Sequence, residues 1–270
     1  MSKRIVFVLF IVIVLLAVCI PLRAQENTSP TQTEEERANQ DYLFQFSSYT
    51  EAHQAYITAK EAYQKFGTIT SQQEAVQKTK IVLILRAEVI RTYLQRLKLR
   101  LIAQRELDSI QRESQVGKLE ATQAFLETHK QNIDKIKNLA EVNTESSRFE
   151  REMPATNELS YETLSFILIG EAQGLEVSTR NLLEETIQSL GNPSSRAFEE
   201  GVSEIRRKLT AVRVNADRAS QIIQEYQTAK IKKGLTAIGT YQLVQKEMKS
   251  AKLSLQEAAQ LIIELENLKG

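Results

Sequence analysis

Four tyrosines near the start of the chain have a spacing that could support binding chemistry. They recur every seven residues, at Tyr42, Tyr49, Tyr56 and Tyr63. On an α-helix these rings would share one face with His53 at its edge, and such a face could stack on a glycan or contact a protein partner. Alanines flank the rings closely, which is typical of a packed seam between helices. We therefore interpret the five residues as a packing stripe, with a binding stripe as the alternative.

The two histidines of the chain, His53 and His129, could bind a metal ion or titrate near neutral pH. Neither belongs to a Glu-x-x-His or His-x-x-x-His pattern, the spacings that place two metal ligands on one helix face. Both fall on apolar stripes, which is typical of histidines hydrogen-bonded in or beside a core. The sequence predicts no metal site.

Other groups capable of chemistry fit polar helix faces better than an active site. Adjacent carboxylates such as Glu184 and Glu185 lie on polar faces or near helix starts, where water or the helix dipole stabilises them. The basic residues between Arg91 and Arg105 are soon interrupted by acids. The chain contains no glycine-rich phosphate loop, serine elbow or Cys-x-x-Cys motif. We predict no catalytic residue and no cofactor, and we expect a non-enzymatic protein.

Long helices must position these residues. Beyond residue 36, proline occurs only at Pro154 and Pro193, and glycine is scarce. Apolar residues recur at three- and four-residue steps, whereas no run alternates with period two as a half-buried strand would. The pattern predicts an all-α fold, an elongated antiparallel bundle of about six long amphipathic helices with coiled-coil-like seams.

Capping signals and glycines predict local geometry within these helices. Gly67 follows the tyrosines as a helix C-cap, and Ser71 with Glu74 has the spacing of a capping box for the next helix. Gly170 and Gly174 are four residues apart on one helix face. In a helix that does not cross a membrane, this spacing predicts close approach of a neighbouring helix.

Composition divides the body of the chain into two helical groups. Residues 25–36 are polar with nothing to bury, and they predict a disordered tether. A second polar stretch at 143–157 contains Pro154 and predicts a linker. It would separate a first helical group at 37–142 from a second at 158–270.

The N-terminus resembles a secretory signal. Lys3 and Arg4 precede an apolar run at residues 5–20, and cleavage after Ala24 would remove residues 1–24. Sixteen apolar residues also lie between the length of a signal core, roughly 7–15, and that of a spanning helix, about 20. An uncleaved membrane anchor over residues 5–22 is therefore the alternative. Lipidation at Cys19 fits poorly, because Val18 stands where a very small residue is needed.

Either interpretation predicts an exported, extracytoplasmic protein, secreted or anchored by its N-terminal segment. Without residues 1–24 the formal charge is −2, since three of 35 basic residues are removed and all 34 acidic residues stay. A mixed, nearly neutral body argues against nucleic acid as a partner and against a polybasic contact with lipid. Membrane contact would come only through an uncleaved N-terminus.

These observations predict a structural or protein-interaction role in the cell envelope, through helix faces that contact a protein partner or a second copy. The alternative is a helical-bundle binding or sensor module for a small molecule or glycan. That alternative requires a cavity between helices near Tyr42–Tyr63.

Overall fold

The computed structural model describes residues 33–191, 195–233 and 235–267. The leader predicted at 1–24 and most of the tether predicted at 25–36 lie outside them. The described residues form six α-helices and no strand, and the predicted all-α helical bundle is confirmed. None of these helices is both long enough and apolar enough to cross a membrane. The helices are α1 (Glu34–Phe66), α2 (Ile69–Ile102), α3 (Ser109–Asp134), α4 (Leu139–Ser189), α5 (Arg196–Lys233) and α6 (Ala237–Asn267).

The 51-residue helix α4 is the central element. It is about 76 Å long at 1.5 Å per residue, and it packs against α2, α3, α5 and α6. Its first part contacts α2, which runs parallel to it, and α3, which runs antiparallel. Its second part contacts the antiparallel α5 and the parallel α6. The pairs that fix these directions are Arg86–Phe149, Arg100–Glu171, Gln115–Thr163, His129–Glu145, Gln227–Glu162, Arg206–Glu184, Tyr161–Tyr241 and Thr186–Glu266.

The stretch at 143–157 differs from the predicted polar linker, because all of it is helical and belongs to α4. Pro154 lacks an N–H and normally interrupts a helix. Here Phe149, Thr156 and Leu159 are buried on either side of it, so packing of the flanking turns outweighs the missing hydrogen bond. Glu34, predicted in the tether, likewise begins α1, whose first turn carries three acidic residues that complement the helix dipole.

The turn between α1 and α2 confirms one capping prediction and corrects another. Gly67 has φ +60°, and its N–H donates to the Tyr63 carbonyl at 2.9 Å, as a C-cap residue does. The cap of α2 is Thr68, whose Oγ1 accepts from the Ser71 N–H at 3.1 Å. The capping box predicted at Ser71 with Glu74 was wrong by one turn. The chain reverses immediately after Gly67, so Ser71 already lies inside the helix.

Side-chain caps also fix the starts of α3 and α4. Asp108 Oδ1 accepts from the Gln111 N–H at 2.9 Å, and α3 begins directly after it. Asn138 accepts from the Glu141 N–H at 3.0 Å in the same way. Each cap satisfies an amide that has no partner within its own helix. The short connections therefore place α2, α3 and the start of α4 side by side.

Of the two glycines on α4, only Gly170 lies at a close approach. A Cβ at Gly170 would be 2.6 Å from the Gln104 Cβ and 3.0 Å from the Leu107 Cγ, both in the connection between α2 and α3. A Cβ at Gly174 would meet no atom within 4 Å. The prediction of close packing is thus confirmed at Gly170 and wrong at Gly174, because α2 ends before reaching that turn.

Candidate functional site

The tyrosine stripe faces α2, the single described helix that α1 contacts. Tyr42 is buried, whereas Tyr49, Tyr56 and Tyr63 are half-buried. Ala59, at 4% exposure, lies between the rings on the same face, so large rings and small methyl groups alternate along the contact. Tyr42 packs against Tyr93 and Arg96 of α2, whereas the other three rings are partly open to solvent.

Two arginines of α2, Arg96 and Arg86, lie near Tyr42 and Tyr49 respectively. The Arg96 guanidinium carbon lies 5.0 Å from the centre of the Tyr42 ring, within cation–π range. Burial raises the pKa of Tyr42 and of Tyr49, while the charge of Arg96 or Arg86 opposes that rise. Both phenols stay protonated at neutral pH and can donate a hydrogen bond.

His53 lies between two rings of the stripe. Its ring centre is 5.6 Å from that of Tyr49 and 6.1 Å from that of Tyr56, and the Lys60 Nζ lies 5.8 Å from the Tyr56 ring. The side chain is half-buried. No group of three or more His, Cys, Asp or Glu side chains with metal-binding geometry occurs among the described residues. His53 is therefore part of an aromatic row along α1.

A second tyrosine group, outside the predicted stripe, lies where α2, α4 and α6 meet. The Tyr93 ring is 6.0 Å from Tyr42, and the Tyr161 and Tyr241 rings are 5.6 Å apart. The Tyr93 hydroxyl is buried and has no hydrogen-bond partner among the described residues. Burial, with a smaller contribution from the neighbouring phenols, raises its pKa. Sequence periodicity missed this group because each ring comes from a different helix.

His129 is enclosed between α3 and α4 at 1% exposure. Its Nδ1 lies 2.7 Å from Glu145 Oε1, its Nε2 has no partner among the described residues, and the Phe149 ring is 4.6 Å away. Burial lowers the pKa of His129, and the hydrogen bond to Glu145 opposes part of that effect. The predicted buried, hydrogen-bonded histidine is what the structure shows at this position.

The candidate binding site is a groove of about 960 Å³ between α3 and α4, bounded at one end by α5. Its apolar floor comes from Ala121 and Phe125 of α3 and from Ala155, Leu159 and Phe166 of α4. The volume falls within the range of ligand sites, roughly 300–1,000 Å³. The groove is an open trough along two helices, a shape suited to an extended or helical ligand.

Paired polar side chains form the end of the groove nearest α5. The Gln115 amide donates to Thr163 Oγ1 at 2.9 Å, and Lys118 Nζ lies 3.7 Å from Glu162 Oε2. The Gln227 amide of α5 donates to Glu162 Oε1 at 3.0 Å. These bonds hold three helices together and leave few free groups at this end.

Tyr226 of α5 closes the same end of the groove. Its pKa is raised by burial, by a hydrogen bond with Glu158 and by the nearby charge of Glu162. The phenol is therefore a hydrogen-bond donor to Glu158 at neutral pH. Tyr226 and Glu158 fix the end of α5 on α4.

Phe125, Arg148 and Glu152 form the opposite end of the groove. The Arg148 guanidinium lies 5.8 Å from the Phe125 ring and 3.8 Å from Glu145, so its position is fixed from both sides. Glu152 is exposed, and its carboxylate has no ion-pair or hydrogen-bond partner among the described residues. A ligand in the groove would meet this carboxylate without displacing an existing partner.

None of the five residues predicted as a stripe lines the groove. Several groove residues lie instead in the stretch interpreted as a linker. A signal for them was present, since Arg148, Glu152, Ala155, Leu159 and Glu162 follow one another at steps of four, three, four and three. That spacing is typical of one face of a helix. The stretch was interpreted as a linker because most of its residues are polar.

The chain matches no protein-family model, no curated protein and no solved structure.

Proposed function

We propose that this is an exported, non-enzymatic helical protein with a structural or protein-interaction role in the cell envelope. The observation that carries the proposal is the groove, where neighbouring helix faces stay uncovered within an otherwise packed bundle. Docking of a partner's helix into a groove between helices is a recurrent mode of protein recognition.

The pairing of the titratable side chains in the groove also favours an interaction role over catalysis. In the groove, Lys118 is paired with Glu162, and Tyr226 is hydrogen-bonded to Glu158. Catalytic acids and bases instead converge on a space where a substrate atom can lie. Here the pairs connect helices to each other.

Export is proposed from the N-terminal residues alone. The charged, apolar and small-residue order of residues 1–24 supports a signal or an anchor. N-terminal sequencing of the protein extracted from its cells tests this. A chain beginning at Gln25 means a cleaved signal, and an intact N-terminus in the membrane fraction means an anchor. An intact chain in the cytosol would contradict export.

The interaction role is tested by a lysine-reactive crosslinker applied to intact cells that produce the full chain. We expect a discrete adduct with one other protein, identified by mass spectrometry of the purified band. Recovery of the monomer alone, under conditions in which known envelope complexes crosslink, would contradict the proposal.

A second candidate function is a binding module for a small molecule or glycan. The groove favours it, because Phe125, Phe166 and Tyr226 lie beside carboxylates and amides that could bind hydroxyl groups. Thermal unfolding in the presence of a panel of soluble glycans tests it. A concentration-dependent rise in melting temperature that Ala121→Trp abolishes would support this candidate.

A further inference from the structure

We infer that the groove receives an amphipathic α-helix of another protein, lying against α3 and α4 as an extension of α5. This rests on the proposed interaction function and names the kind of partner.

The first argument is continuity with the packing of α5 on α4. Arg206 and Arg213 of α5 pair with Glu184 and Glu176 of α4, and Gln227 reaches Glu162. From Glu162, the face of α4 continues at three- and four-residue steps into the groove. Beyond Glu162, the residues of this face, Leu159, Ala155, Glu152 and Arg148, line the groove.

That uncovered face has the dimensions of a helix site. From Glu162 back to Arg148, α4 rises about 21 Å at 1.5 Å per residue, which accommodates about four turns of a bound helix. Ala121 of α3 and Ala155 of α4 belong to the apolar floor of the groove. Small side chains there allow a bound backbone to approach closely, while the half-buried Phe125 provides apolar contact area.

The second argument is charge. Five charged side chains line the groove, two cations and three carboxylates: Lys118, Arg148, Glu152, Glu158 and Glu162. Lys118 pairs with Glu162, and Arg148 pairs with Glu145, so the exposed Glu152 carboxylate is the group left for a ligand. A bound helix with Lys or Arg beside its apolar stripe would complement that carboxylate.

The third argument concerns the source of the helix. A second copy could supply one only if it exposed an apolar stripe at helical spacing. Among large exposed apolar residues on one described helix, only Leu175 and Leu182 are three, four or seven residues apart. Two residues provide little contact area, whereas docked helices use anchors over several turns. Because the described residues of a second copy offer no such stripe, we assign the helix to a different protein.

The test uses a photo-crosslinking amino acid, p-benzoylphenylalanine, in the full chain produced in its own cells. It replaces Ala121 in the groove, Ala124 as the matched control, or Phe44 on α1. Ala124 is an exposed alanine of the same helix that does not line the groove. All three sites are exposed, so we expect each variant to melt within about 2 °C of the unsubstituted protein, as surface substitutions do.

We expect a protein adduct from the Ala121 position in at least about tenfold higher yield than from Ala124. Mass spectrometry should place the adduct on an amphipathic helical segment with basic residues beside its apolar stripe. A synthetic peptide of that segment should slow amide exchange at residues 118–125 and 148–162.

The other outcomes overturn the inference in distinguishable ways. Adducts from Phe44 but not Ala121 would exclude the groove and leave the interaction function standing. An Ala121 adduct with a second copy, or with a segment that is not helical, would exclude the inferred partner. No protein adduct from any position, together with no adduct from the lysine-reactive reagent, would contradict the interaction function itself.

Discussion

At the scale of residues, the interior contains polar groups whose position follows from a few specific contacts. His129 is held by Glu145 and enclosed by aromatic rings, and Tyr42 of the tyrosine stripe packs against Tyr93 and Arg96 of α2. The sequence predicts that both belong to packed helix faces, because their neighbours on the same face are apolar. The partners could not be predicted, because Glu145 and Arg96 belong to other helices and no local pattern marks them.

The first prediction concerns the pH dependence that His129 confers. Its pKa in the folded protein lies below the ordinary value of 6.5, chiefly because of burial. The unfolded chain therefore binds a proton more readily, and the stabilisation present above about pH 6.5 is lost as the pH falls toward the lowered pKa. We expect the free energy of unfolding to fall between about pH 7.5 and 5.5.

Urea unfolding at several pH values measures this dependence. His129→Gln should be less stable than the unsubstituted protein at pH 7.5, by about 2–4 kcal/mol, because Glu145 loses its buried partner. Its stability should also change less over the same pH interval. His53→Gln, the same substitution at the half-buried histidine of α1, is the matched control. An equal slope in all three proteins would contradict the assignment.

The second prediction compares two aromatic residues that are two positions apart on α1. Tyr42 is buried against Tyr93 and Arg96, whereas Phe44 is 67% exposed. Tyr42→Ala should destabilise the docking of α1 by about 3 kcal/mol, and Phe44→Ala should change it by less than about 0.5 kcal/mol. Hydrogen exchange of the α1 amides measures both. Equal effects would mean that the stripe does not hold α1 on α2.

At the scale of elements, helix ends were easier to predict than helix continuity. Gly67 is a positive-φ residue, and such a residue marks a helix end by local geometry alone. Pro154 weakens a helix locally, but whether the helix ends there depends on what its flanking turns bury. In this protein Phe149 and Leu159 are buried beside it, so α4 continues. The groove could not be predicted from the sequence, because several of the residues that line it lie in the stretch at 143–157 that was interpreted as a linker.

The third prediction concerns the two glycines of α4. Gly174→Ala places a methyl group in open space and removes a residue with poor helix propensity, so it should stabilise the protein by about 0.5–1 kcal/mol. Gly170→Ala gains the same propensity but forces Gln104 and Leu107 to move, since its Cβ would lie 2.6 Å from the Gln104 Cβ. We expect net destabilisation of about 1–3 kcal/mol.

Urea midpoints of the two variants measure the difference, with each serving as the control for the other. Equal stabilisation by both substitutions would show that the connection between α2 and α3 does not approach α4 closely at Gly170.

At the scale of the whole molecule, apolar periodicity was sufficient to predict the all-α class and the number of helices. It could not predict which helices pair, because many apolar stripes of similar spacing are compatible with each other. In the structure, the pairing of helices centres on α4. This helix packs against four others and contributes to a core that includes residues of α2, α3, α5 and α6. One consequence is the groove, which lies between α3 and the first part of α4 and is bounded at one end by Tyr226 and Gln227 of α5.

The proposal that this groove is a contact site for a partner's helix is tested most directly by filling it. Ala121→Trp would occupy the floor of the groove, and Ala124→Trp adds the same side chain to an exposed position outside it. Both variants should fold, and equal melting temperatures would establish that. The measurement is the yield of the partner adduct in intact cells with the lysine-reactive crosslinker.

We predict that Ala121→Trp lowers this yield at least about tenfold, equivalent to a loss of about 1.4 kcal/mol in binding, while Ala124→Trp leaves it unchanged. An undiminished adduct with Ala121→Trp would contradict the proposal that the partner binds in the groove.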